Sequence, residues 1–142
     1  MILSLIVPSG YAQTISNFFG ETNGAVYAIH SDNTYVYIGG DFSRVASPSQ
    51  VTGGSAALDL TTATSQQFPT VNGKVYAITS DGSGGWVLGG DFISVGSHIT
   101  KNLARLNSDL SVDLSWVFQM NGSVRCLATT GNQIIVGGEF TS

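Results

Sequence analysis

The chain has 142 residues, a net charge of −4, 10% charged residues and 18 glycines. This length is typical of one domain with a buried core, and so few charges leave Ser, Thr, Asn and Gln to form the polar surface. The five basic residues are scattered, which excludes the basic stripe of a nucleic-acid-binding protein. No apolar run reaches the roughly 18 residues of a membrane span. Cys126 is the only cysteine, which excludes an internal disulfide framework and a cysteine-based zinc site.

The first 22 residues are predicted to contribute the third and fourth strands of an incomplete sheet. The candidate strands are residues 2–7 and 14–19. A retained secretory signal is the alternative interpretation, because residues 1–12 combine an apolar core with small residues near the end. The basic segment that begins such signals is missing, so we favour the two strands.

The rest of the chain repeats a two-part phrase. Asn23, Asn72 and Asn121 each precede a glycine, and the interval between successive copies is 49 residues both times. A short apolar strand follows each Asn-Gly, and a turn rich in Gly, Asn, Asp and Ser then predicts a tight hairpin. The second strand of each hairpin is the apolar run before a Gly-Gly pair. A constant period of this length indicates a repeat architecture.

Each second strand ends in two glycines, an acidic residue and a phenylalanine. A catalytic group is needed once, whereas this phrase recurs in every copy, and no phosphate-binding helix follows it. We therefore predict a structural role. The glycines would allow a bulge or a close backbone approach, the acid would accept backbone N–H groups of a turn, and the phenylalanine would fill space between sheets. The positions are Gly39, Gly40, Asp41, Phe42, Gly89, Gly90, Asp91, Phe92, Gly137, Gly138, Glu139 and Phe140.

The repeat also contains a third and a fourth strand. The third strand is predicted at residues 55–60 and 102–107, and the fourth at residues 65–70 and 114–120. Four short antiparallel strands per repeat of about 40–50 residues are typical of a β-propeller blade, so the predicted fold class is all-β. A single blade exposes two apolar faces and must stack on neighbouring blades. The run Trp86-Val87-Leu88 is accordingly predicted to be buried on both faces.

The predicted organisation is an incomplete blade, two blades and a further half-blade. Their boundaries are residues 1–22, 23–71, 72–120 and 121–142. About three blades are fewer than the four that a single-chain propeller needs. The chain is therefore either part of a longer propeller or a subunit whose terminal half-blades pair with another copy. We favour a homodimer that closes a six-bladed ring, because such pairing would cover exposed strand edges.

Residues 101–142 contain a longer pattern that includes the Asn-Gly and Gly-Gly phrases. Its positions are Arg105, Leu106, Asn107, Asp109, Asp113, Asn121, Gly122, Val124, Gly137, Gly138 and Phe140. This pattern closely resembles the delta-60 repeat of bacterial β-propeller proteins, although Leu110 stands where that family usually has glycine. The resemblance implies a propeller domain of secreted or surface-attached proteins, related to galactose-oxidase-like and kelch-type propellers and usually without assigned catalysis. It carries over no active-site residue.

No residue pattern predicts catalysis, a metal site or a cofactor. His30 and His98 lack partners at metal-ligand spacing, and we expect both in surface loops. Cys126 occupies the repeat position of Ala28 and Ala77, which predicts a small buried residue. The scattered aspartates are expected to accept N–H groups of their own turns, as short carboxylates do. They are Asp32, Asp59, Asp81, Asp109 and Asp113.

Tyr27, Tyr76 and Arg125 share one position of the repeat and form the candidate recognition surface for a protein or glycan. We predict a non-enzymatic propeller module that serves as a binding or assembly scaffold, located outside the cell or on its surface. Two alternatives remain: a propeller hydrolase or oxidoreductase with a site in the central channel, and a purely structural component of a surface assembly.

Overall fold

A computed structural model of the protein describes residues 21–45, 50–62, 64–131 and 133–141. These residues form β-strands and turns without any helix, as the all-β prediction requires, and so contain no helix that could span a membrane. The expected strands at residues 2–7 and 14–19 lie outside the described residues. The strands are β1 (Ala25–Ser31), β2 (Tyr35–Asp41), β3 (Arg44–Val45), β4 (Gln50–Val51), β5 (Ser55–Asp59), β6 (Ser65–Gln66), β7 (Val71–Ser80), β8 (Trp86–Val95), β9 (His98–Ile99), β10 (Leu103–Leu106), β11 (Val124–Thr130) and β12 (Gln133–Gly138).

The first repeat forms the four-stranded antiparallel sheet that its sequence predicts, with strand order β1-β2-β5-β6. The short β3–β4 hairpin follows the Gly-Gly phrase. Five consecutive residues of β2, from Val36 to Gly40, are buried. Such a run without alternation is typical of a strand that is covered on both faces.

The second repeat forms a sheet of order β10-β8-β7, and β9 also pairs with β8. The predicted fourth strand at residues 114–120 is not formed, so this prediction was wrong. The Asp113 carboxylate accepts the Ser115 N–H at 2.9 Å and the Ser115 hydroxyl at 2.6 Å. The Trp116 N–H also donates to the Asp113 carbonyl at 3.3 Å, which turns the chain away from an extended path. Pairing with β10 is reduced to a bridge between Leu106 and Val112.

The third repeat contributes the antiparallel pair β11–β12. Its two strands correspond in register to the first two strands of the other repeats. The predicted double-sided burial of Trp86, Val87 and Leu88 is confirmed in β8, where each is at most 6% exposed.

The first strand of every repeat contains a β-bulge opposite the Gly-Gly pair. In β1, Val26 pairs with Gly40 and Ala28 pairs with Gly39, which leaves Tyr27 as the extra residue. The same shift leaves Tyr76 as the extra residue in β7 and Arg125 in β11. A bulge crowds the partner strand, and this explains the second glycine of each pair. A Cβ atom there would collide with the backbone of the bulged strand, at Gly40, Gly90 and Gly138 alike.

The first glycine of the first two pairs allows neighbouring sheets to approach. A Cβ atom at Gly39 would lie 2.6 Å from Val75 Cγ1, which belongs to the first strand of the next repeat. A Cβ atom at Gly89 would lie 2.5 Å from Val124 Cγ1, again in the next repeat. Both separations are shorter than a carbon–carbon contact allows. The two glycines of these two pairs therefore have different roles.

Apolar clusters bury the faces between successive sheets. Phe92 is 2% exposed and belongs to a cluster shared by the first and second sheets. Phe42 is also buried, whereas Phe140 is partly buried against a cluster between the second and third sheets. The first shared cluster comprises Tyr37, Ala57 and Phe68 with Val71, Val75, Ile78, Trp86, Leu88, Phe92, Val95, Ala104 and Leu106. The second is centred on Val87, Leu103 and Val124.

Candidate functional site

The three bulges bring the predicted recognition residues into one stack. The ring centroids of Tyr27 and Tyr76 lie 5.5 Å apart with their planes tilted by 48°. The Arg125 guanidinium carbon lies 4.5 Å from the Tyr76 ring centroid. A bulge redirects its side chain, and the first strands of successive repeats lie side by side, so equivalent side chains meet. We call Tyr27, Tyr76 and Arg125 the bulge column.

The bulge column is accessible and flanked by ion pairs. Tyr27 is 50% exposed. Lys74 Nζ lies 2.9 Å from Asp41 Oδ2, and Arg125 Nη2 lies 3.0 Å from Glu139 Oε1. The hydrogen bond to Asp41 and the charge of Asp41 raise the pKa of Lys74, and the hydrogen bond to Glu139 is the main cause that raises the pKa of Arg125. Because all four side chains are largely exposed, these pairs add little to stability.

The acids of the Gly-Gly phrase were predicted to accept backbone N–H groups of a turn. The structure instead pairs Asp41 and Glu139 with the cationic side chains beside the bulge column, so that prediction was wrong for these two residues. Asp91 is exposed at the equivalent position in β8.

Asn23 and Asn121 fix the start of the first strand of their repeats against the segment after the phenylalanine. Asn23 Oδ1 accepts the N–H groups of Ser43 and Arg44, both at 2.9 Å. Asn121 Oδ1 accepts the Thr141 N–H at 3.0 Å, and Asn121 Nδ2 donates to the Thr141 hydroxyl at 2.8 Å. These contacts hold the strand that carries the bulge, and with it the bulge column. In the sequence, these asparagines are recognisable only as markers of the repeat.

Asn102 makes a related clamp in the second repeat. Its Oδ1 accepts the Phe92 N–H at 3.1 Å and its Nδ2 donates to the Met120 carbonyl at 3.1 Å. The backbone of Asn102 has φ of 65°, a left-handed conformation that asparagine tolerates better than most residues. The only sequence signal for this role was an Asn at the start of a predicted strand.

The turn aspartates accept N–H groups of their own turns, as predicted. Asp32 Oδ1 accepts the N–H groups of Thr34 and Tyr35, both at 2.7 Å. Asp81 Oδ1 occupies the same position in the second repeat and accepts the N–H groups of Ser83 and Gly85 at 2.7 and 2.8 Å. Asp59, Asp109 and Asp113 each accept an N–H within three residues of themselves.

Arg105 binds the second oxygen of Asp81. Asp81 Oδ2 accepts Arg105 Nε at 2.9 Å and Nη2 at 2.6 Å, and Arg105 Nη1 donates to Asp113 Oδ2 at 3.2 Å. Burial pushes the pKa of Asp81 upward, but the Ser83 N–H, the Arg105 guanidinium and the Gly85 N–H together hold it below its usual value. The Asp81 side chain is only 3% exposed, so the guanidinium neutralises a buried charge. In the sequence, Arg105 is recognisable as a position of the repeat pattern, but its partner is not.

Three other predictions about single residues were wrong. His30 lies in β1 with its ring edge-on to Trp86 at a centroid distance of 5.0 Å, and His98 lies in β9, so neither is in a loop. Cys126 is exposed rather than buried, because no further sheet covers that face of β11 among the described residues. In the same part of the chain, no group of three or more His, Cys, Asp or Glu side chains could hold a metal ion.

The repeat geometry is accompanied by a sequence match. Residues 72–115 match the family described as "Domain of unknown function (DUF5122) beta-propeller". The matched segment covers most of the second repeat and supports a β-propeller, in agreement with the stacked antiparallel sheets. No curated protein and no solved structure matches the chain.

Proposed function

We propose that the chain is a non-enzymatic β-propeller repeat module that acts as a binding and assembly scaffold, with the bulge column as its recognition surface. The alignment of Tyr27, Tyr76 and Arg125 across three repeats is the observation that carries this proposal. Most other large aromatic side chains of the repeats are used in packing between sheets. The bulge column presents aromatic and cationic groups to solvent instead.

A protein partner suits the bulge column better than a glycan. Tyr and Arg are enriched where protein–protein interfaces concentrate their binding energy. The Arg125 guanidinium stacks on Tyr76, so its position is fixed before binding and less conformational entropy is lost. Tyr76 lies between Tyr27 and Arg125, and a sugar ring would need an open aromatic face to stack on.

The test is a screen of the full chain against a displayed random-peptide library and a glycan array. Tyr76→Ala is the test variant, and Phe118→Ala is the matched control, because Phe118 is a 59% exposed aromatic residue outside the bulge column. We expect peptide ligands whose affinity falls at least about tenfold for Tyr76→Ala and is unchanged for Phe118→Ala. Ligands that bind both variants equally, ligands found only on the glycan array, or no ligand dependent on the bulge column would contradict the proposal.

We also propose a second copy of the chain as assembly partner, through strand pairing that closes a six-bladed ring. β2 and β8 each pair with a third strand of their own repeat, whereas β12 pairs only with β11 among the described residues. Ile135 in β12 is 57% exposed. An unpaired strand edge with exposed apolar side chains is suited to receiving another strand. The remaining part of a longer propeller is the alternative occupant of this edge.

Light scattering distinguishes the two occupants. A ring of two copies has twice the 14.8 kDa mass of the chain, and Ile135→Lys should shift it to the monomer because a charge is placed on the paired edge. A folded monomer of the unmodified chain would contradict closure between copies.

The assignment to the delta-60 repeats, and a secreted or cell-surface location in bacteria, are part of the same proposal. The resemblance of residues 101–142 to that family supports them. Detection of the protein in the medium or on intact cells by a surface-restricted label would test the location, and its confinement to the cell interior would contradict it.

A further inference from the structure

We propose that the cleft between the first and second sheets binds an organic cation, a guanidinium or alkylammonium group. The first cleft, as we call it, has a volume of about 330 Å³. It lies at the hairpin turns, and the bulge column lies on the same strands several residues before those turns. The side chains that matter are His30, Asp32, Tyr35, Tyr37, Trp86 and Ser108.

The equivalent aspartate of the second repeat shows which group binds a carboxylate at this position. Asp32 and Asp81 are equivalent, since each follows the first strand of its repeat and accepts two N–H groups of the hairpin turn. In the second repeat the free oxygen of Asp81 is bound by the Arg105 guanidinium. Arg105 lies on β10, opposite Val87 of β8. The protein therefore already contains one copy of this carboxylate occupied by a guanidinium.

The first repeat lacks that internal cation. Ala57 of β5 lies opposite Tyr37 of β2, in the register that Arg105 and Val87 have in the second repeat. A methyl group thus replaces the guanidinium. The Tyr37 hydroxyl donates instead to Asp32 Oδ2, at 3.2 Å.

Asp32 Oδ2 retains capacity for another donor. A carboxylate oxygen accepts more than one hydrogen bond, and one neutral hydroxyl at 3.2 Å is weaker than the two charge-assisted bonds on Asp81 Oδ2. Burial pushes the pKa of Asp32 upward, but the N–H groups of Tyr35 and Thr34 hold it below its usual value. The carboxylate is therefore negatively charged at neutral pH.

Aromatic rings form the remaining wall of the first cleft. The centroids of Tyr37 and Trp86 lie 3.9 Å apart, and those of Tyr35 and Tyr37 lie 6.2 Å apart. His30 approaches Trp86 edge-on at 5.0 Å. The faces of aromatic rings attract cations, and a carboxylate beside them adds a charge-assisted hydrogen bond. Tyr37 and Trp86 are at most 6% exposed and pack on each other, so the partly exposed Tyr35 supplies the accessible ring. The volume is sufficient for a small ligand or for the end of one side chain.

The cation could be a free small molecule or an arginine side chain of a peptide. Both present the same group to Asp32, and two probes separate them. Ethylguanidinium represents the free cation, with ethylurea as its uncharged counterpart. A Gly-Arg-Gly amide peptide represents the side chain, with Gly-citrulline-Gly amide as its counterpart.

Tryptophan fluorescence reports binding. The chain has two tryptophans, so Trp116→Phe leaves Trp86 of the first cleft as the only one. In this background we expect saturable fluorescence changes with ethylguanidinium or the arginine peptide and none with the uncharged counterparts. Preference for the peptide would assign the cleft to a protein ligand, and preference for ethylguanidinium would assign it to a free cation. Equal binding would show that the cleft recognises the guanidinium group alone.

The variants test the carboxylate directly. Asp32→Asn keeps an acceptor for the two turn N–H groups but removes the charge, and should weaken binding at least about tenfold. Asp59→Asn is the matched control, since Asp59 accepts two turn N–H groups in the same sheet and should not affect binding. Tyr37→Phe removes the competing hydroxyl and should bind at least as tightly as the parent.

Several results would overturn the proposal. They are the absence of saturable binding to the Trp116→Phe chain, equal binding of the charged and uncharged probes, and equal binding by folded Asp32→Asn. The comparison of charged and uncharged probes uses no Asp32 variant, so it remains decisive if Asp32→Asn fails to fold.

Discussion

Gly89 lies directly beneath Val124 of the next repeat, so close that a Cβ atom on Gly89 would come within 2.5 Å of Val124 Cγ1. Gly39 has the same relationship to Val75 one repeat earlier. The neighbouring glycines, Gly40 and Gly90, face the bulged strand of their own sheet. One glycine therefore sets the spacing between sheets and the other accommodates the bulge.

This division of roles predicts which glycine substitution can be rescued. Gly89→Ala should lower the free energy of unfolding by about 1–3 kcal/mol, because the new methyl group overlaps Val124. In the presence of Val124→Ala the same substitution should cost less, which a double-mutant cycle from urea unfolding measures. Gly90→Ala is the control, since its methyl group would strike the Lys74 carbonyl and Val124→Ala should not rescue it. Equal coupling of both glycines to Val124 would contradict the assignment.

Because the ion pair of the second repeat is buried, we expect Arg105 to contribute far more to stability than Lys74 does. Arg105→Ala leaves the Asp81 carboxylate, 3% exposed, without its guanidinium, and should lower the free energy of unfolding by about 2 kcal/mol or more. Lys74→Ala removes a pair whose side chains are both largely exposed, and should change the free energy of unfolding far less. Chemical unfolding of both variants at neutral pH tests this. Equal losses of unfolding free energy would show that the Asp81–Arg105 pair stabilises the fold no more than an exposed pair does.

The lowered pKa of Asp81 predicts a loss of stability in acid. Because the pKa is lower in the folded state than the ordinary value of 3.8, the unfolded chain binds the proton more tightly. The stabilisation is present above about pH 4 and is lost as the pH falls through the folded pKa. Unfolding midpoints measured between neutral pH and pH 3 should fall less for Asp81→Asn than for the parent chain. Asp91 is exposed in β8, so the unfolding midpoints of Asp91→Asn should change with pH as those of the parent chain do. The same pH dependence for Asp81→Asn and the parent chain would contradict this account.

At position 110 we expect a glycine variant to be more stable than an alanine variant, which is the reverse of the usual order. The φ of Leu110, 67°, is left-handed, which costs a leucine about 1–2 kcal/mol, yet the side chain is packed against the cluster between the first two sheets. Leu110→Ala loses the packing and keeps the strain, whereas Leu110→Gly loses the packing and relieves it. Thermal unfolding should therefore show the glycine variant to be more stable than the alanine variant, by about 1 kcal/mol. The reverse order would show that the backbone at this position is unstrained.

The sequence predicts the strands well where the same apolar run recurs in several copies of the repeat. The copies starting at Asn23, Asn72 and Asn121 locate the hairpins, because three aligned apolar runs are harder to misassign than one. The strand predicted at residues 114–120 was supported only by its counterparts at residues 14–19 and 65–70, neither of which contains the Asn-Gly or Gly-Gly markers. There the hydrogen bonds of Asp113 to Ser115 and the turn to Trp116 prevail over the apolar composition.

Other features depend on relationships between repeats that a linear pattern does not display. The shared position of Tyr27, Tyr76 and Arg125 could be found from the alignment of the copies. Their stacking depends on a bulge, and the sequence gives no direct sign of which residue is the extra one. Asp81 and Asp32 hold equivalent positions, but Asp81 is bound by Arg105 from β10 and Asp32 by the Tyr37 hydroxyl from β2. This replacement of one partner by another becomes visible only when the two sheets are compared in three dimensions.

The central claim is that the first strands of successive repeats lie side by side, as in a propeller. Thr79 Oγ1 of β7 lies 3.0 Å from Thr129 Oγ1 of β11. In a Cys126→Ala background, Thr79→Cys with Thr129→Cys should form a disulfide within one chain on mild oxidation, because the two side chains already nearly touch. Thr62→Cys with Thr129→Cys places one thiol in a turn of the first sheet and should remain reduced. The account predicts the internal crosslink for the first pair alone, measured by mass and free-thiol content, and failure of that crosslink in the folded protein would contradict it.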